Sequence, residues 1–170
     1  MNVYEAILAR KSVRAYQNRE VSDEILDRIL DAARMAPSAS NRQEWRFVVV
    51  RDPEMREKLA EAARRQMFIA EAPVVVACCA ETDGHIMSCG EACYPIDVAA
   101  AIDHLTLAAV EEGLGTCWIG AFNQAKVKEL LNIPPEIQVV ELLPLGYPAD
   151  PTPKPKQRLQ LEEIVHHETW

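Results

Sequence analysis

Apolar positions recur along this chain with two periods, and the switches between them mark out its elements. Val3, Ala6, Ile7 and Leu8 fall at helical spacing over residues 2–10, after which R-K-S-V-R-A-Y, Arg10 to Tyr16, alternates like an extended segment. Ser22 is placed to cap a helix with Ile25, Leu26, Ile29, Leu30 and Ala33 on one face and Asp23 and Glu24 in its first turn. Pro37 disfavours helical geometry in the residue before it, so this helix should stop at Ala36.

Residues 37–44 read as a polar loop, and the aromatic and β-branched run Trp45 to Val50 predicts a strand. Asp52-Pro53 opens a helix through about Arg65, Pro73 to Cys79 reads as a buried strand, and Glu81 to Cys93 lacks periodicity. Ile96, Val98, Ala99, Ala101, Ile102, Leu105, Ala108 and Ala109 predict a central helix over Pro95 to Glu112, ended by Gly113 and Gly115. A short strand over Thr116 to Ile119, a helix capped by Asn123 and running to about Asn132, and a strand from Glu136 to Leu145 follow, until Gly146-Tyr147-Pro148 breaks the pattern. Ala149 to Pro155 holds three prolines and should run extended, across another subunit if one is present. The strands are few, unevenly spaced and without a βα rhythm, and no G-x-G-x-x-G follows the first of them. This favours an α+β sandwich over a doubly wound sheet.

Size and composition narrow the picture. At 170 residues and 19.0 kDa the chain suits a single domain, 1–170, and 49% apolar residues suffice for a sizeable core. A net charge of −8 argues against a nucleic-acid surface, yet Arg10, Lys11, Arg14 and Arg19 crowd the first twenty residues, so a local anion site stands out. The beginning of the chain carries no basic leader, and the longest apolar run, around Ala72 to Ala80, is strand-sized. Five cysteines, two of them adjacent, do not look like a disulfide framework. The expectation is a soluble cytoplasmic protein without a membrane partner.

Four groups of residues carry candidate chemistry. Arg10, Lys11, Ser12 and Arg14 combine cations with a hydroxyl, which is what a phosphate monoester needs, though a solvated basic turn has the same composition. Pro37, Ser38, Ala39, Ser40, Asn41 and Gln43 form a hydroxyl- and amide-rich loop suited to the polar edge of a flat heterocycle, or equally to an ordinary helix-to-strand connection. Trp118-Ile119-Gly120-Ala121-Phe122 ends a strand in glycine, where backbone N–H groups can approach a ligand. Lys156 and Arg158 follow the proline-bearing tail as distant cations, or as plain surface charge.

In that order, R-K-S-V-R-x-Y, P-S-A-S-N-R-Q-x-W, G-L-G-T-C-W-I-G and L-G-Y-P leading to K-x-R, the chain resembles the nitroreductase family of flavin mononucleotide (FMN) flavoproteins from about residue 2 to about residue 165. The resemblance implies a nitroreductase-like α/β/α sandwich with a mainly antiparallel sheet, its C-terminal arm, about residues 147–170, exchanged in a homodimer. It implies that Arg10 and Ser12 hold the FMN phosphate with Lys156 and Arg158, Lys11 belonging to the same basic cluster. Arg14 would lie near the ribityl chain or the N1/O2 edge. Pro37, Ser38 and Ser40 would line the isoalloxazine, with Ala39 and Gln43 among the cofactor-binding residues of the same loop, Asn41 would approach the partner's flavin, and the amides of Ile119 and Gly120 would face N5 and O4. The implied activity is reduction of nitroaromatic, quinone or similar flat acceptors by NAD(P)H in ping-pong fashion, with flavin N5 carrying the chemistry and no side chain as catalytic acid or base.

Glu44 departs from the family by replacing the proline usual after the glutamine, and the family's further flavin contacts between about Arg65 and Pro73 are not matched here. Other FMN chemistry, such as dehalogenation, flavin fragmentation or dehydrogenation, fits the same signatures. So does a non-catalytic flavin-binding module, or a metal-binding one built on His85, Cys89 and Cys93 with Asp83 and Glu91. Those residues make too few ligands at supporting spacing for structural zinc, so no metal is expected. His104 is expected in the core or an interface, and His166 and His167 have no expected role.

Overall fold

Val74–Ala80 is apolar at every position and is buried on both faces, which makes it the centre of the sheet. The computed structural model describes residues 1–153 and 155–170. Its elements are α1 (Val3–Ala9), α2 (Asp23–Arg34), β1 (Trp45–Val50), α3 (Pro53–Ala62), α4 (Phe68–Glu71), β2 (Val74–Ala80), α5 (Cys93–Glu111), β3 (Gly115–Thr116), α6 (Gln124–Leu131) and β4 (Gln138–Gly146), with 3-10 turns at Ala39–Asn41 and Leu161–Glu163. The strands order as β1-β2-β4-β3, and each neighbouring pair is antiparallel.

Alternation along β2 divides the core. Val74, Val76, Cys78 and Ala80 pack with Leu26, Ile29 and Ala33 of α2 and Val98, Ala101, Ile102, Leu105 and Ala109 of α5. Val75, Ala77 and Cys79 pack with Leu59 and Ala60 of α3, Ile69 of α4 and Val127 of α6. Helices therefore cover both faces of an antiparallel sheet, the expected α/β/α sandwich. The β2–β4 register shifts between Cys78 and Cys79, so Cys78 pairs with Glu141 and Cys79 with Val139.

Where the boundaries differ from the sequence reading, local reasons are visible. α5 begins at Cys93, before Pro95, because the first-turn amides of a helix have no intrahelical acceptor and a proline there removes nothing. Its length and apolar composition would suit a membrane span, but it lies in the core between the sheet and α2. α3 stops at Ala62, short of Arg65, since Asn123 donates its amide to the Ala62 carbonyl and Arg64 and Arg65 take φ of 56° and 58°. α4 was not expected: at four residues it has no periodicity to read, and burial of Ile69 together with Arg56 donating to the Ala70 and Ala72 carbonyls holds it. β3 is shorter than the expected Thr116–Ile119 strand, which resumes only as an isolated bridge between Ile119 and Leu142.

The extended segment after α1 is stitched to the sheet margin. Val13 donates to Thr116, Gln17 to Tyr147, and Ala149 to Ala15. The buried Tyr16 hydroxyl donates within reach of Val13 and Pro144 carbonyls, at 2.9 and 3.2 Å. Two glycines make this junction close. A Cβ at Gly115 would overlap Val13, and one at Gly146 would overlap Pro73 and come within 3.1 Å of Tyr16. Gly146→Ala is accordingly expected to destabilise the fold by about 1–3 kcal/mol, read as a lower urea midpoint at unchanged slope.

Candidate functional site

Stitching at the sheet margin sets residues from both chain ends beside one another. Ser12 pairs with Thr116, and the neighbouring Cys117 thiol, pushed up by burial, is drawn back by Arg14, by a hydrogen bond from Ser12 and by Arg10. Lys156, half-buried, is held below the ordinary lysine value first by burial and then by repulsion from Arg10 and Arg158. Its ammonium donates to the Ile7 carbonyl at the end of α1. Arg10, Arg14, Lys156 and Arg158 take part in none of the ion pairs among the described residues, although carboxylates outnumber cations in this chain. Like charges gathered with no ion pair among the described residues have the chemistry that an anion with several oxygens, such as a phosphate monoester, would match.

Lys11 points elsewhere. Its ammonium donates to the Asp150 carbonyl at 2.9 Å and to the Thr152 carbonyl, tying the arm to the N-terminal segment. Within this chain it thus acts as a strap for the cluster.

The second group sits away from the first. Asp97, buried in α5, accepts the Ala39 amide on both carboxylate oxygens at 3.1 Å, and Ser38 Oγ accepts the Gln43 amide at 3.0 Å. Ser40, Asn41 and Gln43 take φ of 49°, 56° and 51°, left-handed geometry that costs free energy in residues with side chains and that these surrounding bonds impose. Pro37 and the side chains of Ser40 and Asn41 are left exposed, the latter two with no hydrogen-bond partner among the described residues, while the Gln43 side chain donates back to Asn41. Glu44 is buried rather than a surface charge: it pairs with Arg42 at 2.9 Å and accepts from the buried Cys93 thiol at 3.5 Å. Burial, and then that bond, raise the thiol's pKa.

Cys93 is therefore gathered with Glu44 and Asp97, and Cys89 lies exposed, so the structure does not assemble the His85–Cys89–Cys93 set. Arg42 and the Ala39 amide already occupy the carboxylates of the Glu44–Cys93–Asp97 group.

Of the two amides expected to face a ring, the structure corrects one. Ile119 N–H donates to the Leu142 carbonyl at 3.0 Å inside the bridge and is not free. The Gly120 amide is exposed and has no acceptor among the described residues. Beneath it lies Glu141, whose oxygens are 3.5 and 3.6 Å from where a Cβ of residue 120 would stand. Burial pushes this carboxyl up to about 7. Sequence reasoning missed Asp97, Glu44 as a buried group, and Glu141, although a lone charge inside V-V-E-L-L-P-L is a visible signal.

One chain does not bring its two groups together. The loop is anchored near the start of α5 and Ser12 lies past its end; from Asp97 to Glu111 alone the helix rises about 21 Å at roughly 1.5 Å per residue.

Comparison with known proteins matches the model of the nitroreductase family over residues 7–89 and 66–147. The chain is 34% identical to the FMN reductase [NAD(P)H] of Bacillus subtilis, over 99% of this chain and 74% of that protein. It is 33% identical to the NADH dehydrogenase of Thermus thermophilus, over 94% and 93% respectively. A nitroreductase family protein from Clostridium difficile 630, of known crystal structure, superposes with a TM-score of 0.90 at 34% identity, over 100% of both chains.

Glu141 gives the site a pH dependence whose sign is fixed. Its carboxyl titrates near 7 in the folded chain against an ordinary 4.5, so between those values the folded state holds a proton that the unfolded state has released. That favourable contribution is full below about pH 4.5 and is lost as pH rises through 7. Glu141→Gln should gain stability over the wild type by on the order of 1 kcal/mol between pH 5 and pH 8, after discounting for the half-exposed side chain, measured as the difference in urea midpoints.

Proposed function

Since the chain belongs to the nitroreductase family, we propose that it is an FMN-dependent oxidoreductase that takes electrons from NAD(P)H and passes them to flat acceptors such as nitroaromatics or quinones. The observation that carries this reading is the cluster of Arg10, Arg14, Lys156 and Arg158, unneutralised by any ion pair among the described residues of a chain with net charge −8. Such a cluster fits the dianionic phosphate of FMN, and the name of the Bacillus subtilis relative, FMN reductase [NAD(P)H], agrees with it.

Arg10, Lys156 and Arg158 would hold the phosphate, with the Ser12 hydroxyl as a further donor. Arg14, the next exposed cation along the same segment, would lie toward the ring's N1/O2 edge, where positive charge favours a reduced, negatively charged ring. The Gly120 N–H would donate to the ring near N5 and O4, and Lys11 keeps the arm in place. Bound FMN would supply the two-electron hydride chemistry; the protein binds, orients and sets the charge around it.

The loop Pro37–Gln43 would complete the site from a second copy. α5 separates the loop from the cationic cluster, so two chains paired about a two-fold axis would set the loop of one against the cluster of the other. The exposed apolar residues Val3, Tyr4, Ile7 and Leu8 on α1 and Leu159, Leu161, Ile164 and Val165 on the arm supply surface for that pairing. Five free cysteines suit a reducing cytoplasm.

Purified protein is expected to sediment as a dimer, take up FMN with a yellow spectrum, and oxidise NADH or NADPH when a nitroaromatic or quinone is added. Protein that cannot take up FMN ends the proposal, whereas bound flavin that neither nicotinamide reduces without oxygen points to other FMN chemistry on the same fold. Arg10→Ala and Arg158→Ala should each weaken FMN affinity by roughly 1.5–3 kcal/mol, about ten- to a hundredfold, with little change in unfolding midpoint.

A further inference from the structure

β4 carries one charged side chain, Glu141, in an otherwise apolar run. It faces Cys78 of β2 where the ladder register shifts, and it lies in van der Waals reach of the space above Gly120, 3.5 and 3.6 Å from a Cβ built there. One of its oxygens, Oε2, is buried and has no hydrogen-bond partner among the described residues. The titratable groups that face it are the thiols of Cys78 on β2 and Cys117 on the segment after β3, each pushed further up by its charge, and no cation among the described residues compensates it. A carboxyl in such surroundings keeps its proton near neutrality, and a protonated carboxyl is a hydrogen-bond donor.

A side chain at residue 120 would stand against this acid; with glycine there, none lies between it and an exposed amide that has no acceptor among the described residues. We propose that Glu141 is a second donor at this edge of the site: its carboxyl O–H, with the Gly120 N–H, binds the carbonyl and ring-nitrogen acceptors of the flavin. The inference rests on the reading of the chain as an FMN protein. When the proton leaves to solvent, Glu141 becomes acceptor-only and sets a negative charge against those same atoms, so affinity falls.

The test is titration of FMN into flavin-free protein from about pH 5.5 to about pH 8.5, for the wild type, Glu141→Gln and Glu141→Leu. Gln keeps a donor without the titration, and Leu keeps bulk without a donor. Relative to Glu141→Gln, in which ionisation of the FMN phosphate cancels, the wild type should lose about three- to tenfold in affinity across this range, with a midpoint near 7. Glu141→Leu should bind about three- to tenfold more weakly than Glu141→Gln at every pH. An infrared band of a protonated carboxyl, present in the flavin-free wild type at the acid end, lost at the alkaline end and missing from Glu141→Gln, reads the same proton without cofactor. Parallel affinity profiles in three proteins that all bind FMN overturn the role of Glu141 and leave the flavin reading standing. No FMN uptake by any of the three overturns both.

Discussion

Four cations held together with no ion pair among the described residues are a cost that the backbone has to carry, and the hydrogen bonding of the segment after α1 helps to carry it. Residues 12–17 are fastened to Thr116 on one side and to Tyr147 and Ala149 on the other, with the buried Tyr16 hydroxyl reaching the Val13 and Pro144 carbonyls. The close approach needs glycine at 115 and 146, since a methyl group at either would overlap Val13 or Pro73. Main-chain hydrogen bonds here set positions that electrostatics alone would disfavour: the Lys156 pKa is lowered first by burial and then by repulsion from Arg10 and Arg158. A polyanion placed among them would offset that repulsion.

The same principle operates at the loop with the opposite sign of charge. Three residues in left-handed geometry are an expensive way to turn a chain, and a carboxylate buried in α5 makes the turn worthwhile by taking the Ala39 amide on both oxygens. Glu44 adds a second buried carboxylate, balanced by Arg42 and the Cys93 thiol. Bonds between distant residues, Ala39 with Asp97 and Ser12 with Thr116, fix both ends of α5, and the helix itself serves as a spacer between the two groups.

The sequence read well where a single element decides the outcome. β1 occupies Trp45–Val50 as its composition predicts, α2 starts after Ser22 because that hydroxyl accepts the Ile25 amide, and the Asn123 cap is present for α6. It read poorly where the deciding contact comes from far along the chain. Nothing local in A-E-A-A-R-R says that Asn123 will take the Ala62 carbonyl, and nothing local says that Leu142 will accept from Ile119 and leave Gly120 as the open amide. Lys11 looks like its neighbours in R-K-S-V-R, but the arm, more than a hundred residues later, claims its ammonium. Buried carboxylates are legible in principle, as lone charges among apolar positions, but telling Glu141, whose buried oxygen has no partner among the described residues, from Glu44 with two requires the fold.

The cationic cluster draws on Arg10 and Arg158, nearly the full length of the sequence apart. A growing polypeptide displays Arg10 well over a hundred residues before Lys156 and Arg158 are made. Until then this corner holds only half its charges, so the full cluster exists only once synthesis has passed Arg158. A product of interrupted synthesis lacking the arm would keep Arg10 and Arg14 on an exposed edge without the two cations that join them.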